Sequence, residues 1–190
     1  MEAFLVSAGV VAVAEIGDKT QLLAFALASR FRRPVVVVLG ILFATIANHL
    51  LAAWVGTLVA EWMGETALKV VLGVSFLAMA AWVLKPDDEE DMPKQLGGMG
   101  AFVTTLVAFF LIEIGDKTQL ATVALGARFT DVFIVTAGTT LGMMAADVPA
   151  VFIGDKAAHK VPLKLVHGIA AAVFAVLGGL ALLDAGRGLL

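Results

Sequence analysis

One eight-residue stretch occurs twice in the chain and carries the side chains best suited to chemistry. Its copies begin at Glu15 and Glu113, and each reads Glu-Ile-Gly-Asp-Lys-Thr-Gln-Leu. Each copy places two carboxylates, an ammonium group, a hydroxyl and an amide inside an apolar run of membrane-spanning length. A charged side chain near a bilayer centre costs roughly 2.5–3.5 kcal/mol on insertion scales, so these groups do not face lipid. The two copies are therefore the candidate functional site.

Together, the two copies combine four carboxylates with two lysines. Fully ionised, they leave an excess of negative charge that a divalent cation would neutralise. All the donors are oxygens, which suits Mg²⁺, Ca²⁺ or Mn²⁺ and disfavours Zn²⁺ or Cu⁺. The predicted metal ligands are Glu15, Asp18, Glu113 and Asp116. The predicted supporting residues are Lys19, Thr20, Gln21, Lys117, Thr118 and Gln119.

The local geometry of one copy depends on whether the helix continues through it. On a regular helix Glu15 and Asp18 share a face, and Lys19 falls close to Glu15. Gly17 lies between the two acids, where its low helix propensity permits a local unwinding that turns backbone carbonyls and Thr20 toward the same cavity. The alternative is that each Glu-Lys pair is a salt bridge that only fastens helices. Buried ion pairs are poor stabilisers, so two such copies favour function.

The composition identifies the elements that position these residues. Of the 190 residues, 61% are hydrophobic and 15% are charged, and the mean hydropathy is +0.99. The chain is therefore predicted to be an integral membrane protein, and its long continuous apolar segments favour helices over a barrel. We expect the first segment to be a retained helix rather than a signal peptide. The absence of cysteine excludes thiolate ligands and disulfides.

Six apolar segments have the length of a membrane-spanning helix, about 17–25 residues. Charged or Pro/Gly-rich breaks separate them, and the longest break, an acidic linker over 85–99, divides the chain into repeats at 1–84 and 100–190. The predicted helices are 3–28, 34–58, 66–84, 100–127, 132–153 and 163–183.

The two halves align without a gap when the sequence is shifted by 98 residues. Residues 15–31 then match 113–129 at 12 of 17 positions. Each half holds three predicted helices, so the second half enters the membrane inverted relative to the first. The predicted fold is thus an all-α membrane protein with six transmembrane helices in two inverted three-helix repeats, the architecture of secondary transporters.

Lysine and arginine outside the motif are unevenly distributed between the two predicted faces. Cytoplasmic segments carry the excess of these residues, which predicts a cytoplasmic linker and both termini outside. One face holds Arg30, Arg32, Arg33, Lys85, Lys94, Lys156, Lys160 and Lys164, and the other holds Lys69, Arg128 and Arg187.

Further polar side chains lie inside predicted helices. His49, beside Asn48, aligns with Asp147 under the same shift, so His49 is expected toward the outer side and Asp147 toward the cytoplasm. These three residues are candidates for ion access or proton coupling. Met143 and Met144 precede Asp147 on the same face. A sulfur there could favour Mn²⁺ over Ca²⁺, but we favour a packing role.

Two copies of Glu-x-Gly-Asp-Lys/Arg-Thr/Ser in a small six-helix protein resemble the manganese/calcium:proton antiporter family. Its members include bacterial manganese exporters and relatives in Golgi and chloroplast membranes. Both signatures are intact here, beginning at Glu15 and Glu113, and the resemblance covers nearly the whole chain. It implies divalent cation transport coupled to protons, with both Mn²⁺ and Ca²⁺ as substrates within the family.

We predict a multi-pass transporter of the inner, or plasma, membrane that exports Mn²⁺ in exchange for protons and is not an enzyme. A metal bound by carboxylates displaces their protons, and protons from the other side displace the metal. Ca²⁺/H⁺ exchange is the nearest alternative. A passive cation channel and an intramembrane aspartyl protease are more remote ones. We expect no cofactor besides the transported ion and no nucleic-acid partner, and the oligomeric state stays open.

Overall fold

The computed structural model describes residues 1–85, 100–153 and 163–187, and the regular structure within these ranges is α-helical. The acidic linker therefore lies outside the described residues, apart from Lys85. The helices are α1 (Glu2–Glu15), α2 (Lys19–Phe31), α3 (Pro34–Trp62), α4 (Glu65–Val83), α5 (Ala101–Glu113), α6 (Lys117–Phe129), α7 (Val132–Ile153) and α8 (Leu163–Arg187).

Four of the described helices, α3, α4, α7 and α8, are long and apolar enough to cross a membrane. Their outward surfaces keep large apolar side chains exposed, for example Trp54 at 53% and Val176 at 60%. Lipid contact accounts for such exposure, since water would disfavour it. The prediction of an all-helical membrane protein is confirmed at this level.

The segments predicted as single helices at 3–28 and 100–127 are each broken into two. Gly17 and Gly115 adopt φ values of 84° and 82°, in the left-handed region that a residue without Cβ enters freely. The break at Gly17 agrees with the predicted unwinding. It also means that Glu15 ends α1 whereas Asp18 precedes α2, so the two acids do not share the face of a regular helix.

Helix pairs from opposite halves pack closely at glycines. On α7, Gly138 lies against the backbone of Phe4 and the side chain of Ser7 in α1, and further along Gly142 lies against Ala8. The two helices therefore run in the same direction. Likewise, α3 of the first half packs against α5 and α6 of the second half.

Helices α4 and α8 form a separate antiparallel pair. Lys69 near the start of α4 meets Asp184 near the end of α8, with Nζ and Oδ2 2.9 Å apart. The rings of Phe76 and Phe174, which coincide under the 98-residue shift, stack with centroids 6.3 Å apart. The pair makes its main contacts with the rest of the bundle through α6, which α4 touches, and α1, which α8 touches.

The beginning of α4 and the ends of α6 and α8 lie at one face of the molecule, here called the N-terminal face. They line a cavity of about 610 Å³ that includes Glu65, Arg128 and Arg187. Helix α3 ends two residues before α4 begins, α7 begins shortly after α6 ends, and α1 runs parallel to α7. The end of α3 and the starts of α7 and α1 therefore lie at this face too.

Two apolar clusters enclose the centre of the bundle. One joins α4 and α8 to α1, α6 and the second half of α3, and includes Phe76, Leu125 and Phe174. The other joins α2, α5 and the first half of α3, and includes Ile41 and Phe109. The breaks in α1–α2 and α5–α6 lie between these clusters.

Candidate functional site

The two copies of the motif meet through reciprocal ion pairs. Lys19 Nζ lies 3.3 Å from Asp116 Oδ1, and Lys117 Nζ lies 3.0 Å from Asp18 Oδ1. Each lysine therefore pairs with the aspartate of the other copy, a partner that spacing within one copy could not predict. The structure brings both halves of the chain to one place.

The four charged groups are withdrawn from the surface to different degrees. Asp18 and Lys117 have side-chain exposures of 2% and 3%, whereas Lys19 retains 14%. The pair formed by Lys117 is thus the more enclosed of the two. Low-dielectric surroundings strengthen an ion pair but penalise either partner strongly when the other is removed.

Each break is held by the same two side-chain hydrogen bonds. The amide N–H of Gly17 donates to Gln21 Oε1 at 2.9 Å, and that of Gly115 donates to Gln119 Oε1 at 2.7 Å. The hydroxyl of Thr20 donates to Glu15, and Thr118 Oγ1 donates to Glu113 Oε2 at 2.9 Å. The threonine and glutamine of the motif thus fix the shape of the unwound segment, which explains why these types occur there.

The ends of the four short helices add fixed partial charges to the site. Helices α1 and α5 end at the motif glutamates, and the negative end of a helix dipole attracts cations. Helices α2 and α6 begin just after the aspartates, and at α6 the aspartate carboxylate caps a free N–H group. Asp116 Oδ2 accepts from the N–H of Thr118 at 3.3 Å. Interrupted helices of this kind place ion sites in transporters.

One oxygen of each motif glutamate is buried and has no hydrogen-bond partner within the described parts of the chain. These are Glu15 Oε2 and Glu113 Oε1, and both side chains are fully buried. Buried polar atoms are nearly always satisfied by protein, water, a proton or a ligand. Hard oxygen donors next to the paired aspartates fit a divalent cation as transported substrate.

The described residues contain no three His, Cys, Asp or Glu side chains already arranged to hold a metal ion together. The lysines explain this, because each engages an aspartate oxygen that the predicted ligand set would use. A cation entering here must draw Asp18 and Asp116 away from Lys117 and Lys19. The predicted role of the four acids as metal ligands stays a prediction.

The motif amides anchor the breaks to the long helices. Gln119 Nε2 donates to Asn48 Oδ1 of α3 at 3.0 Å, and Gln21 Nε2 donates to the carbonyl of Ala146 in α7 at 3.0 Å. Asn48 and Ala146 coincide under the 98-residue shift, so the side-chain oxygen of Asn48 and the backbone oxygen of Ala146 accept equivalent hydrogen bonds from the two motif glutamines. Asn48 Nδ2 also donates to the carbonyl of Phe110. Asn48 thus has a structural role that the sequence left open.

A contact between α3 and α7 was not foreseen from the sequence. Thr45 Oγ1 donates to Met143 Sδ at 3.1 Å, and both side chains are fully buried. These residues also coincide under the shift. His49 and Asp147 lie one turn beyond them on their helices and are fully buried, and their polar side-chain atoms have no hydrogen-bond partner in the ranges that the structure covers.

Comparison with known proteins identifies the family of this chain. A family model described as "Divalent cation/proton antiporter GDT1" matches residues 3–91 and 101–188. A Vibrio cholerae protein named "Putative manganese exporter" is 50% identical over 92% of this chain and 87% of its own length. A GDT1-like protein of Synechocystis sp. is 30% identical over 93% of this chain and 96% of its own. No significant match to a solved structure was found.

The match covers both copies of the motif, and with it the site described above. It also excludes the predicted alternative of an intramembrane aspartyl protease, because the family consists of transporters rather than enzymes. These relationships lead to one assignment: the chain is a membrane transporter and belongs to the GDT1 family of divalent cation/proton antiporters.

Proposed function

We propose that the protein exports Mn²⁺ in exchange for protons through one carboxylate site built from both copies of the motif. The observation that carries this proposal is the pair of reciprocal contacts, Lys19 with Asp116 and Lys117 with Asp18, at 3.3 and 3.0 Å. Two motifs so far apart in sequence need not touch if each only fastens its own helix. Their meeting supports a shared site.

We further propose that each broken pair, α1–α2 and α5–α6, forms one interrupted crossing. With α3, α4, α7 and α8, this gives six crossings in two inverted repeats, with the site near the midplane. The Lys and Arg distribution supports a cytoplasmic linker and an outer N-terminal face. Because the chain lacks cysteine, Arg33→Cys and Glu65→Cys test this orientation. An impermeant maleimide should label Glu65→Cys from outside and Arg33→Cys only from inside, and labelling of both from one side would refute it.

In this mechanism the lysines act as tethered counter-ions. Without metal they neutralise Asp18 and Asp116, while the glutamates carry protons on their free oxygens. A divalent cation arriving from the cytoplasm displaces those protons and takes the aspartates from the lysines. Protons entering from outside then restore the first state and release the cation.

Mn²⁺ is the proposed substrate because a relative that is 50% identical is named for manganese export. Oxygen donors accept Ca²⁺ as well, so ion preference has to be measured. Purified full-length protein in liposomes, with an imposed pH gradient and Mn²⁺, Ca²⁺ or Mg²⁺ added in turn, provides the test.

We expect saturable Mn²⁺ flux that depends on the pH gradient and is accompanied by opposite proton movement. Faster Ca²⁺ flux under the same conditions would make calcium the main substrate. A flux that does not saturate and ignores the pH gradient would identify a passive channel. Absence of any coupled flux would contradict the proposal as a whole.

A further inference from the structure

A polar stripe runs along the face of α7 that meets α3. Thr136, Thr140, Met143 and Asp147 recur at spacings of four, three and four residues, which places them on one side of a helix. The contact between Met143 and Thr45 shows that this side faces α3. All four side chains are at most 6% exposed.

Several polar atoms of this region are buried with no hydrogen-bond partner among the described residues. They are the hydroxyls of Thr136 and Thr140 and both ring nitrogens of His49. Threonine in a helix can satisfy itself on its own backbone, as Thr139 does by donating to the carbonyl of Val135 at 2.9 Å. Thr136 and Thr140 do not, so their hydroxyls are available to water.

The positions of these groups follow from the register of α3 and α7. The second half of α3 packs against the end of α6, with Gly56 beside Val123, and α7 begins just after α6. The two long helices therefore run antiparallel, with Thr45 and Met143 level. His49 is one turn from Thr45, and Thr140 one turn from Met143, both toward the N-terminal face. Thr136 lies one turn further out.

In the described helices α3 and α7, the hydroxyls of Thr136 and Thr140 have no counterpart at the matched positions on the other side of the site. Under the 98-residue shift, Thr136 and Thr140 coincide with Val38 and Leu42, which occupy the corresponding positions of α3 toward the opposite face. A general packing requirement of the fold would make both sides alike. The hydroxyls therefore mark a difference between the two faces.

We propose that His49, Thr140 and Thr136 line a narrow hydrated path that carries protons, and not the metal ion, between the N-terminal face and the carboxylate site. This rests on the proposed exchange of a cation for protons. Hydroxyls, water and an imidazole can pass a proton along hydrogen bonds. The stripe offers no carboxylate on the outer side of Met143, so a divalent cation would lose hydration water there without gaining the six or so oxygen ligands that it needs.

Among the residues that the structure describes, neither ring nitrogen of His49 has a hydrogen-bond partner. The charged or titratable side chains on elements that pack against α3, at the level of the site or of the N-terminal face, are Lys19 of α2 with Asp18 just before it, Glu65 and Lys69 of α4, Glu113 of α5, Lys117 and Arg128 of α6 with Asp116 just before it, and Asp147 of α7 with Asp131 just before that helix.

The first arm of the test measures water access without relying on transport. Single cysteines replace Thr136, Thr140, Val38 or Leu42 in the otherwise cysteine-free chain, and a small water-soluble methanethiosulfonate is added from one side of the membrane. We expect Thr136→Cys and Thr140→Cys to react from the N-terminal face, and Val38→Cys and Leu42→Cys to stay unreactive from either side. Unreactive cysteines at 136 and 140 would overturn the proposal even if the protein exchanges Mn²⁺ for protons.

The second arm uses near-isosteric Thr→Val variants in liposomes with an internal pH dye. The double variant Thr136→Val/Thr140→Val should lower Mn²⁺-driven proton flux by about tenfold or more and change its dependence on external pH, with the apparent KM for Mn²⁺ unchanged. The single variant Thr140→Ser keeps a hydroxyl at this position, so its proton flux should be close to that of the wild-type protein. Thr139→Val is the matched control, because its hydroxyl is bonded within its own helix.

The outcomes separate the two proposals. Normal flux in the double variant, in a protein that does couple Mn²⁺ to protons, contradicts only the path. No coupled flux in the wild-type protein contradicts the proposed exchange and the path with it. Removing hydroxyls that lack a protein partner should not lower the melting temperature, so a loss of folding in the double variant would also count against the assignment.

Discussion

At the scale of single residues, the ion pairs between the two motifs determine what substitutions should do. Asp116 and Asp18 each face a lysine of the other half, at 3.3 and 3.0 Å. An aspartate in this position serves two purposes, since it balances a buried lysine and is a proposed ligand of the cation. Stability and transport should therefore respond to the same change through different mechanisms, and variants can separate them.

Asp116→Asn should abolish Mn²⁺ transport while the protein still folds. A neutral amide can neither balance the charge of the ion nor exchange a proton, and Lys19, at 14% exposure, is the less enclosed of the two lysines, so the loss of its partner should be tolerated. Flux in liposomes and the elution profile in detergent provide the two readouts. Near-normal flux would show that the Asp116 carboxylate has only a structural role.

Asp18→Asn should be the more destabilising of the two aspartate substitutions. Its partner Lys117 is only 3% exposed, and removal of one member of a buried pair costs about 3–5 kcal/mol. Melting temperatures should fall in the order wild type, Asp116→Asn, Asp18→Asn. The double variant Asp18→Asn/Lys117→Gln should recover stability but not transport. Equal melting temperatures for both single variants would contradict this reading of their burial.

His49 and Asp147 occupy matched positions with chemically different side chains, and they should distinguish the two faces. In the proposed orientation Asp147 lies on the cytoplasmic side of the site, where its carboxyl oxygens can add to the ligands of an arriving cation, whereas the imidazole of His49 lies on the outer side and can pass protons. We expect Asp147→Asn to raise the apparent KM for cytoplasmic Mn²⁺ and His49→Gln to shift the external-pH profile. Sided vesicles with pH varied on each face separate the effects, and an unchanged profile in His49→Gln would assign that residue to packing.

At the scale of elements, the breaks in α1–α2 and α5–α6 bring the site together. Each break turns at a glycine with positive φ and is held by a threonine and a glutamine of the same motif. The short helices that result present their ends to the site, which a continuous helix could not do. The backbone conformation of two residues therefore positions all four carboxylates.

Gly115→Ala tests this dependence. At a φ of 82° a Cβ costs on the order of 1–2 kcal/mol, although no atom lies within 4 Å of the place it would occupy. The effect is therefore backbone strain alone, and we expect lower stability and a larger loss of transport. Gly9→Ala in α1 is the control, since it is equally uncrowded and carries no positive φ. It should be neutral or slightly stabilising, and equal behaviour of both variants would refute the argument.

Much of the element structure was predictable from the sequence, and the reasons are local. The lengths of the apolar segments correctly predicted the start of α3 at Pro34, both ends of α7 and the start of α8. The glycine between the two acids of each motif indicated a break in the helix. The partners of Lys19 and Lys117 were not predictable, because spacing within one segment carries no information about a side chain from the other half. The contact of Thr45 with Met143 could have been found, since residues near a pseudo-two-fold axis meet their own counterparts, as Phe76 and Phe174 also do.

At the scale of the whole molecule, the α4–α8 pair lies unevenly on the rest of the bundle. Helix α4 packs against α6, and α8 packs against α1. The short helices α1 and α6 lie between the breaks and the N-terminal face. The apolar cluster that contains Phe76 and Phe174 joins the same elements. The cluster on the opposite side consists of residues from α2, α3, α5 and α7. The α4–α8 pair thus makes its larger contacts with one helix of each broken pair, α6 and α1.

This unevenness has a consequence for a protein made of two related halves. If the two halves exchanged their conformations, α4 would pack against α5 and α8 against α2. Residues of the same kinds would then be in contact. We infer that the chain encodes two conformations of similar free energy, which open the carboxylates to opposite compartments in turn. Nitroxide distances from α8 to α1 and from α8 to α2 should change in opposite senses when Mn²⁺ is added, and unchanged distances would refute this. On this view, gene duplication supplied both an ion site and the second orientation that lets the ion leave.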